Sequence, residues 1–315
     1  MNSNFKTYMI TGGAGFIGSH LFDRLVELGH KIIIVDDLSS GHKSNISENT
    51  NNEFLIEKIQ EISFNNINTV DGIFHLAAQA SVPYSIENFY ESSKNNLLSS
   101  LKIFSWANDN NIPIVYASSS AVYGNLDLGD DKINKFDILS PYAQDKLTLE
   151  NYAKMSWKIY KTPSIGLRFF NVYGPRQDPS NPYSGVISIF IDRLLNNKSV
   201  TVNGGYQTRD FIFVKDITEI MIKSMGLLSN KKSCEVLNVG SGISVSINSL
   251  LDKIANILEV EPKIVLKELP FGDPEKSFGN YEKLMEIIGY DINQFIELKD
   301  GLLETINFEK MGRNK

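Results

Sequence analysis

Thr11-Gly12-Gly13-Ala14-Gly15-Phe16-Ile17-Gly18 constrains this chain more than any other segment, because it joins a β-branched run, Lys6–Thr11, to a stretch of helical period, Phe16–Leu28. Glycines at such a junction permit a tight turn, let backbone approach a pyrophosphate closely, and allow the helix to lie against the strand. The helix N-terminus then faces the anion. Asp36, at the end of the next run Lys31–Asp36, supplies a carboxylate that can accept hydrogen bonds from both hydroxyls of a ribose. A 2′-phosphate would meet the like charges of Asp36 and Asp37 with no Arg beside them, so the residues favour NAD over NADP. The plainer reading of the glycines is a turn alone, and Asp37 fits better as a cap of the turn Leu38-Ser39-Ser40-Gly41.

The first half continues the same cadence. Candidate strands Glu53–Ile56, Gly72–Leu76, Ile112–Ser118 and Ser164–Phe169 alternate with candidate helices Phe89–Asn108 and Pro141–Tyr160, the latter with Ser140 as N-cap. This predicts an α/β chain: a Rossmann-type doubly wound parallel sheet with a smaller C-terminal α+β substrate lobe. After Phe170 the texture changes to Pro, Gly and Asn-rich loops (NVYGPRQDPSNPYSG), and the regular alternation stops. The expected division is 1–170, with a returning segment at about 212–240, for the dinucleotide domain, and 171–211 with 241–315 for the other. Val245–Leu258, Pro262–Glu268, Tyr281–Ile288 and Leu302–Phe308 are the elements expected to complete the smaller lobe.

Composition narrows the class. With 315 residues, 42% of them hydrophobic and 22% charged, the chain is long enough for about two lobes with real cores. Cys234 is the one cysteine, which excludes a disulfide scaffold and suits a reducing cytoplasm. A net charge of −6 disfavours a nucleic-acid partner. No apolar run approaches the roughly 18 residues of a spanning helix, so no membrane partner is expected, and no metal site either.

The second constellation is Tyr142-Ala143-Gln144-Asp145-Lys146, which puts a phenol and an ammonium on one helix face. It gains weight from Ser118-Ser119-Ser120-Ala121-Val122-Tyr123-Gly124 at a strand end, where a doubly wound sheet opens its ligand crevice. A phenol acting as a base near neutrality needs its pKa lowered by roughly 3 units, about 4 kcal/mol. Lys146, at ~4 Å, is expected to supply that order of energy. The plainer reading is a buried Tyr, a Lys with its head in water and serines ending a strand.

Taken in order, TGGAGFIGSH, DDLSSG, HLAAQASVP, SSSAVYG, SPYAQDK, RFFNVYGPRQDP and QTRDF resemble the extended short-chain dehydrogenase/reductase superfamily, and within it the nucleotide-sugar 4-epimerases. The resemblance runs from Thr11 to about Ser277. It implies NAD as cofactor, a UDP-sugar as small-molecule partner, and a homodimer through a bundle including Phe89–Asn108 and Pro141–Tyr160. Carried over by motif, Gly12, Gly15, Phe16, Ile17 and Gly18 face the pyrophosphate, and Asp36 the adenosine ribose. Ile59 takes the adenine contact, Ala77 and Ala78 line the cofactor's path, and Asn96 stands beside them. Ser119, Tyr142 and Lys146 become the catalytic group, Lys146 also touching the cofactor ribose. Ser81, Ser119, Ser120, Tyr142, Asn171, Arg209 and Ser277 become the substrate contacts, with Asn171 and Arg209 on the diphosphate. Duller readings are a helix-surface Asn96, a turn-stabilising Asn171 and an Arg209–Asp210 surface pair.

Three departures stand out. Lys58-Ile59 replaces an Asp-Ile pair, so only the apolar adenine contact survives. Leu269-Pro270-Phe271-Gly272-Asp273 lacks the Arg expected before Gly-Asp, leaving Lys267 or Arg176 to supply that phosphate contact. Ser277 stands where a bulky aromatic accompanies plain hexoses, and a serine leaves room for an N-acetyl group. The expected reaction is therefore 4-epimerisation of a UDP-hexose, UDP-GlcNAc/UDP-GalNAc before UDP-Glc/UDP-Gal, through a transient 4-keto sugar. The rivals are a 4,6-dehydratase, a 4-reductase, a decarboxylase, and a non-catalytic NAD-binding regulator.

Overall fold

Residues 5–47, 51–67, 69–181, 184–269 and 273–313 are described by a computed structural model. Pro182 and Tyr183 of the expected loop stretch, and Pro270–Gly272 of the segment that lacks the expected Arg, lie outside the described residues. In chain order the strands are β1 (Thr7–Thr11), β2 (Lys31–Val35), β3 (Glu53–Leu55), β4 (Gly72–His75), β5 (Ile114–Ser119), β6 (Ser164–Phe169), β7 (Asn171–Tyr173), β8 (Val200–Asn203), β9 (Thr208–Phe213), β10 (Cys234–Val239), β11 (Ser244–Ser246), β12 (Ile264–Lys267) and β13 (Lys276–Ser277). The helices are α1 (Phe16–Glu27), α2 (Val82–Glu87), α3 (Phe89–Ser93), α4 (Ser99–Asn110), α5 (Pro141–Tyr160), α6 (Val186–Leu195), α7 (Val214–Asn230), α8 (Ile247–Leu258), α9 (Glu282–Ile288) and α10 (Leu298–Arg313).

The chain divides into two units. The first comprises the chain up to Ser119, Ser140–Arg168 and Thr218–Leu237; the second comprises Ser120–Leu139, Phe169–Ile217 and the chain from Asn238 onward. Residues 120–139, which the sequence put with the dinucleotide domain, group instead with the second unit. Their hydrogen bonds explain why: Gly129 N–H donates to the Phe278 carbonyl at 2.9 Å, and Asn238 N–H donates to Asp131 at 2.7 Å.

The main sheet has seven strands in the order β10-β6-β5-β4-β1-β2-β3, a parallel Rossmann-type arrangement. Strand alternation sends Met9, Ile33 and Val35 to one face, where they meet Ile73, Ile114, Phe104 on α4 and Leu149 on α5. Ile10, Ile32 and Ile34 turn to the other face, and Leu21, Phe22 and Leu25 of α1 are fully buried there. Each such side chain contributes about 1.5–3 kcal/mol of burial. Gly29, at φ +84°, ends α1, and Ser140 caps α5 by accepting from Ala143 N–H at 3.1 Å, with Pro141 at its first position.

The single helix expected over Phe89–Asn108 is three pieces: α3, one turn of π-helix over Lys94–Leu98, and α4. Backbone-seeking hydroxyls explain the interruption. Ser99 donates back to the Asn95 carbonyl and Ser100 to the Asn96 carbonyl, and Asn96 is buried.

In the second unit β9 is central. β11 pairs antiparallel to Thr208–Asp210, while β13 and β7 pair parallel to its first and last halves; β8 and β12 form a separate parallel pair. Ile191, Leu250, Ile254, Leu302 and Ile306 bury the facing sides of α6, α8 and α10. No helix among the described residues is long and apolar enough to cross a membrane.

Candidate active site

The glycine turn has the shape an anion cradle requires. Gly12 sits at φ +71°, and a Cβ there would meet the Ala77 backbone nitrogen at 2.7 Å. A Cβ on Gly18 would collide with the Gly12 carbonyl oxygen. Only glycine lets α1 come this close to the strand end. Gly15, the N-cap of α1, makes no side-chain cap bond, so the helix opens on the backbone amides of Phe16, Ile17 and Gly18.

Asp36 is 8% exposed, and its carboxylate already takes backbone amides, Ala14 N–H and Leu38 N–H each at 2.9 Å and Gly15 N–H beside them. Burial pushes its pKa up, while those amides pull it down. Asp36 therefore shapes the glycine turn, and its remaining lone pairs suit ribose hydroxyls. Asp37 caps its own turn through Ser39 N–H at 3.0 Å. Asn45 and the His42 amide both donate to the Ala14 carbonyl at 3.0 Å, a clamp on the turn that no sequence motif announced. Ile59 is buried in the sheet core with Met9 and Val35.

Ala77 and Ala78 follow β4 and are held from below by a directed chain of hydrogen bonds. Ser100 donates to the Asn96 carbonyl at 2.6 Å, so it must accept from His75 Nε2 at 2.9 Å. His75 Nδ1 is then an acceptor, and Thr11 Oγ1 donates to it at 2.7 Å while accepting from Ala77 N–H at 3.3 Å. Burial and the Lys146 charge hold His75 neutral, its pKa pulled down to about 3. Asn96 is no surface residue: it is 4% exposed, accepts from Gln79 N–H at 2.8 Å and donates to the Gln79 carbonyl at 3.2 Å. Ser81 is buried as the N-cap of α2, accepting from Tyr84 N–H at 3.1 Å.

The end of β5 and the start of α5 bring Ser119, Tyr142 and Lys146 together. Tyr142 is 8% exposed and hydrogen-bonded to the Ser119 hydroxyl. Lys146 Nζ lies 5.7 Å from the Tyr142 ring centre and donates to the Ala117 carbonyl at 2.8 Å. Ser85 fixes the start of the helix by accepting from Tyr142 N–H at 3.2 Å. Ser118 faces another way, donating at 2.6 Å to Glu150, which forms a fully buried pair with Arg168.

The expected lowering of the phenol is not what the chain alone produces. Burial raises Tyr142, the Ser119 bond lowers it, and the Asp145 charge raises it further. Burial likewise brings Lys146 down to about 8, against the charges of Asp145 and Glu150. Desolvation outweighs the Ser119 hydrogen bond, and one of the three Lys146 ammonium hydrogens goes to the Ala117 carbonyl.

In the second unit β9 gathers three of the remaining residues. Asn171 donates to the Asp210 carbonyl at 3.1 Å, and Ser277 stands opposite Arg209 in the β13–β9 register. Arg209 is 8% exposed and pairs with Asp273, not with neighbouring Asp210. Asp210 is instead fully buried among Tyr281 OH, the Ser241 amide and hydroxyl, and Gly242 N–H. Ser120 opens the short 3-10 turn over Ser120–Tyr123.

A family model described as the NAD dependent epimerase/dehydratase family matches residues 8–240. The chain belongs to this family. A putative UDP-glucose 4-epimerase of Methanocaldococcus jannaschii is 36% identical over 96% of this chain and 98% of its own length. A UDP-N-acetyl-alpha-D-glucosaminuronate decarboxylase of Bacillus cytotoxicus is 33% identical, over 96% and 97%. Among solved structures, the UDP-N-acetylglucosamine 4-epimerase of Methanobrevibacter ruminantium, in complex with UDP-N-acetylmuramic acid, superposes with a TM-score of 0.90 at 35% identity, covering 98% of this chain and 99% of that one. The extended short-chain dehydrogenase/reductase resemblance and NAD as cofactor thus hold for this family member, and the uncapped α1 terminus beside Asp36 fits that dinucleotide.

Proposed function

We propose that the chain is an isomerase that inverts carbon 4 of a UDP-hexose, UDP-GlcNAc and UDP-GalNAc above all. The observation that carries this reading is the Ser119–Tyr142–Lys146 group at the β5 and α5 ends, in the same unit as the glycine turn. Bound NAD supplies hydride acceptance and return at that carbon, so no external reductant is consumed. Tyr142 Oη takes the proton from the 4-hydroxyl and later returns it; Ser119 orients the same oxygen. Lys146 holds an ammonium near the phenol at neutral pH, and the positive charge of an oxidised nicotinamide would add to its effect. On the second unit Arg209 and Asn171 are assigned to the diphosphate and Ser277 to the N-acetyl side of the sugar.

Dehydration fits less well. It needs an acid and a base beside Ser119, where the sequence has Ser118, Ser120 and Ala121, and Glu150, which reaches Ser118, is committed to it and to Arg168. A second copy of the chain is the partner assigned to the exposed apolar side chains Phe89 and Tyr90 of α3 and Ile159 and Tyr160 of α5. Phe104, by contrast, is core.

The test is a parallel incubation of the purified protein with UDP-GlcNAc, its 6-deoxy analogue and UDP-Glc, without added NADH, with products resolved by NMR. The 4-epimer of UDP-GlcNAc is expected to form fastest. Tyr142→Phe should keep its NAD and lose about 10²–10⁴-fold in turnover. A stable keto-deoxy product, carbon dioxide release from a uronic acid analogue, or full turnover by Tyr142→Phe would contradict the reading.

A further inference from the structure

Asp145 is a buried carboxylate that this mechanism does not use. It follows Tyr142 by three residues and directly precedes Lys146 on α5, and it is 6% exposed. Asn96 Nδ2 donates to its Oδ2 at 3.3 Å, and the Ser93 hydroxyl bonds it as well. A carboxylate placed there costs desolvation energy that two neutral donors only partly offset.

We propose that Asp145 is a positioning residue for the epimerisation: it orients the Asn96 amide against Gln79 and lays a negative charge beside Tyr142 and Lys146 that sets the pH range in which they work. This rests on Tyr142 and Lys146 acting as assigned above. An ionised carboxylate only accepts, so it selects the amide orientation in which Asn96 Nδ2 faces Asp145 and Oδ1 receives the Gln79 N–H. Its charge disfavours the phenolate and favours the ammonium. Both groups therefore hold their protons more tightly because of it.

The neighbouring charges do not share this task. Glu150 sustains Lys146 but is ion-paired to Arg168, and His75 on β4 is neutral. The other ionisable groups on elements packed against α5 are Tyr84 and Glu87 on α2, Tyr90 and Glu91 on α3, Lys94 on the π turn, Lys102 and Asp109 on α4, and Tyr116 on β5. Asp145, three residues along the same helix, is the carboxylate whose charge raises the Tyr142 phenol.

Two readouts on the NAD-loaded protein and its cofactor-stripped form decide the matter. In Asp145→Asn and Asp145→Ser both limbs of the kcat–pH profile should move to lower pH by about one unit, while Asp145→Glu leaves them in place. Independently of substrate, the Tyr142 Cζ NMR resonance of stripped protein, assigned with Tyr142→Phe, should titrate about one unit lower in the neutral variants. A turnover reduced equally at every pH with an unmoved phenol midpoint would overturn the proposal, as would loss of the fold in both neutral variants. Absence of epimerisation in the unaltered protein would end the functional reading alone, since the phenol titration still reports on Asp145.

Discussion

A histidine with both ring nitrogens committed to hydroxyls has no room for a second ring proton, and this gives His75 a measurable signature. Its pKa falls from 6.5 to about 3 on folding, so between those values the unfolded chain binds the extra proton and folded stability drops as pH falls. The loss from pH 7 to pH 5 comes to about 2 kcal/mol. His75→Gln should therefore be less stable than the unaltered protein at pH 7 by a margin that shrinks by about that amount at pH 5 in urea unfolding. A constant margin would show that the imidazole is not the titrating group. The sequence pointed to Ser119 over Ser118 through the family motif's spacing to Val122-Tyr123-Gly124, and in the structure Ser118 donates to Glu150 while Ser119 bonds Tyr142. The sign of the Tyr142 shift was not legible there. It depends on how deeply α5 and β5 bury the phenol, a tertiary quantity that no spacing encodes.

At the scale of elements, strand ends and the α5 cap were readable because each has a local cause, a β-branched run or a Ser-Pro pair. The π turn was not, since hydrophobic period cannot distinguish one long helix from three pieces, and α2, with six residues, is too short to show a period. The short strands β7, β11 and β13 have two or three residues each, too few to show alternation, and they exist because β9 offers them partners. The π turn brings Asn96 inward to tie Gln79 to Asp145. Asn96→Ala leaves both Gln79 backbone groups and the Asp145 carboxylate short of a partner, which should cost about 1–3 kcal/mol and weaken NAD retention. Denaturant unfolding together with bound-NAD content checks this; unchanged values in both would mean that the loop after β4 is held by other contacts.

For the whole molecule, the glycine turn and strand cadence made the parallel sheet legible, whereas the assignment of residues 120–139 was not, because their partners lie far along the chain at Asn238, Phe278 and Asn280. The central claim is that one resident dinucleotide and one phenol act on a single sugar carbon and restore it inverted. The most direct measurement is incubation of the protein, as purified and without added cofactor, with UDP-GlcNAc carrying deuterium at carbon 4. UDP-GalNAc that retains the label at carbon 4 is the predicted result. Label lost to solvent, or a product altered at carbon 5 or 6, would contradict the account.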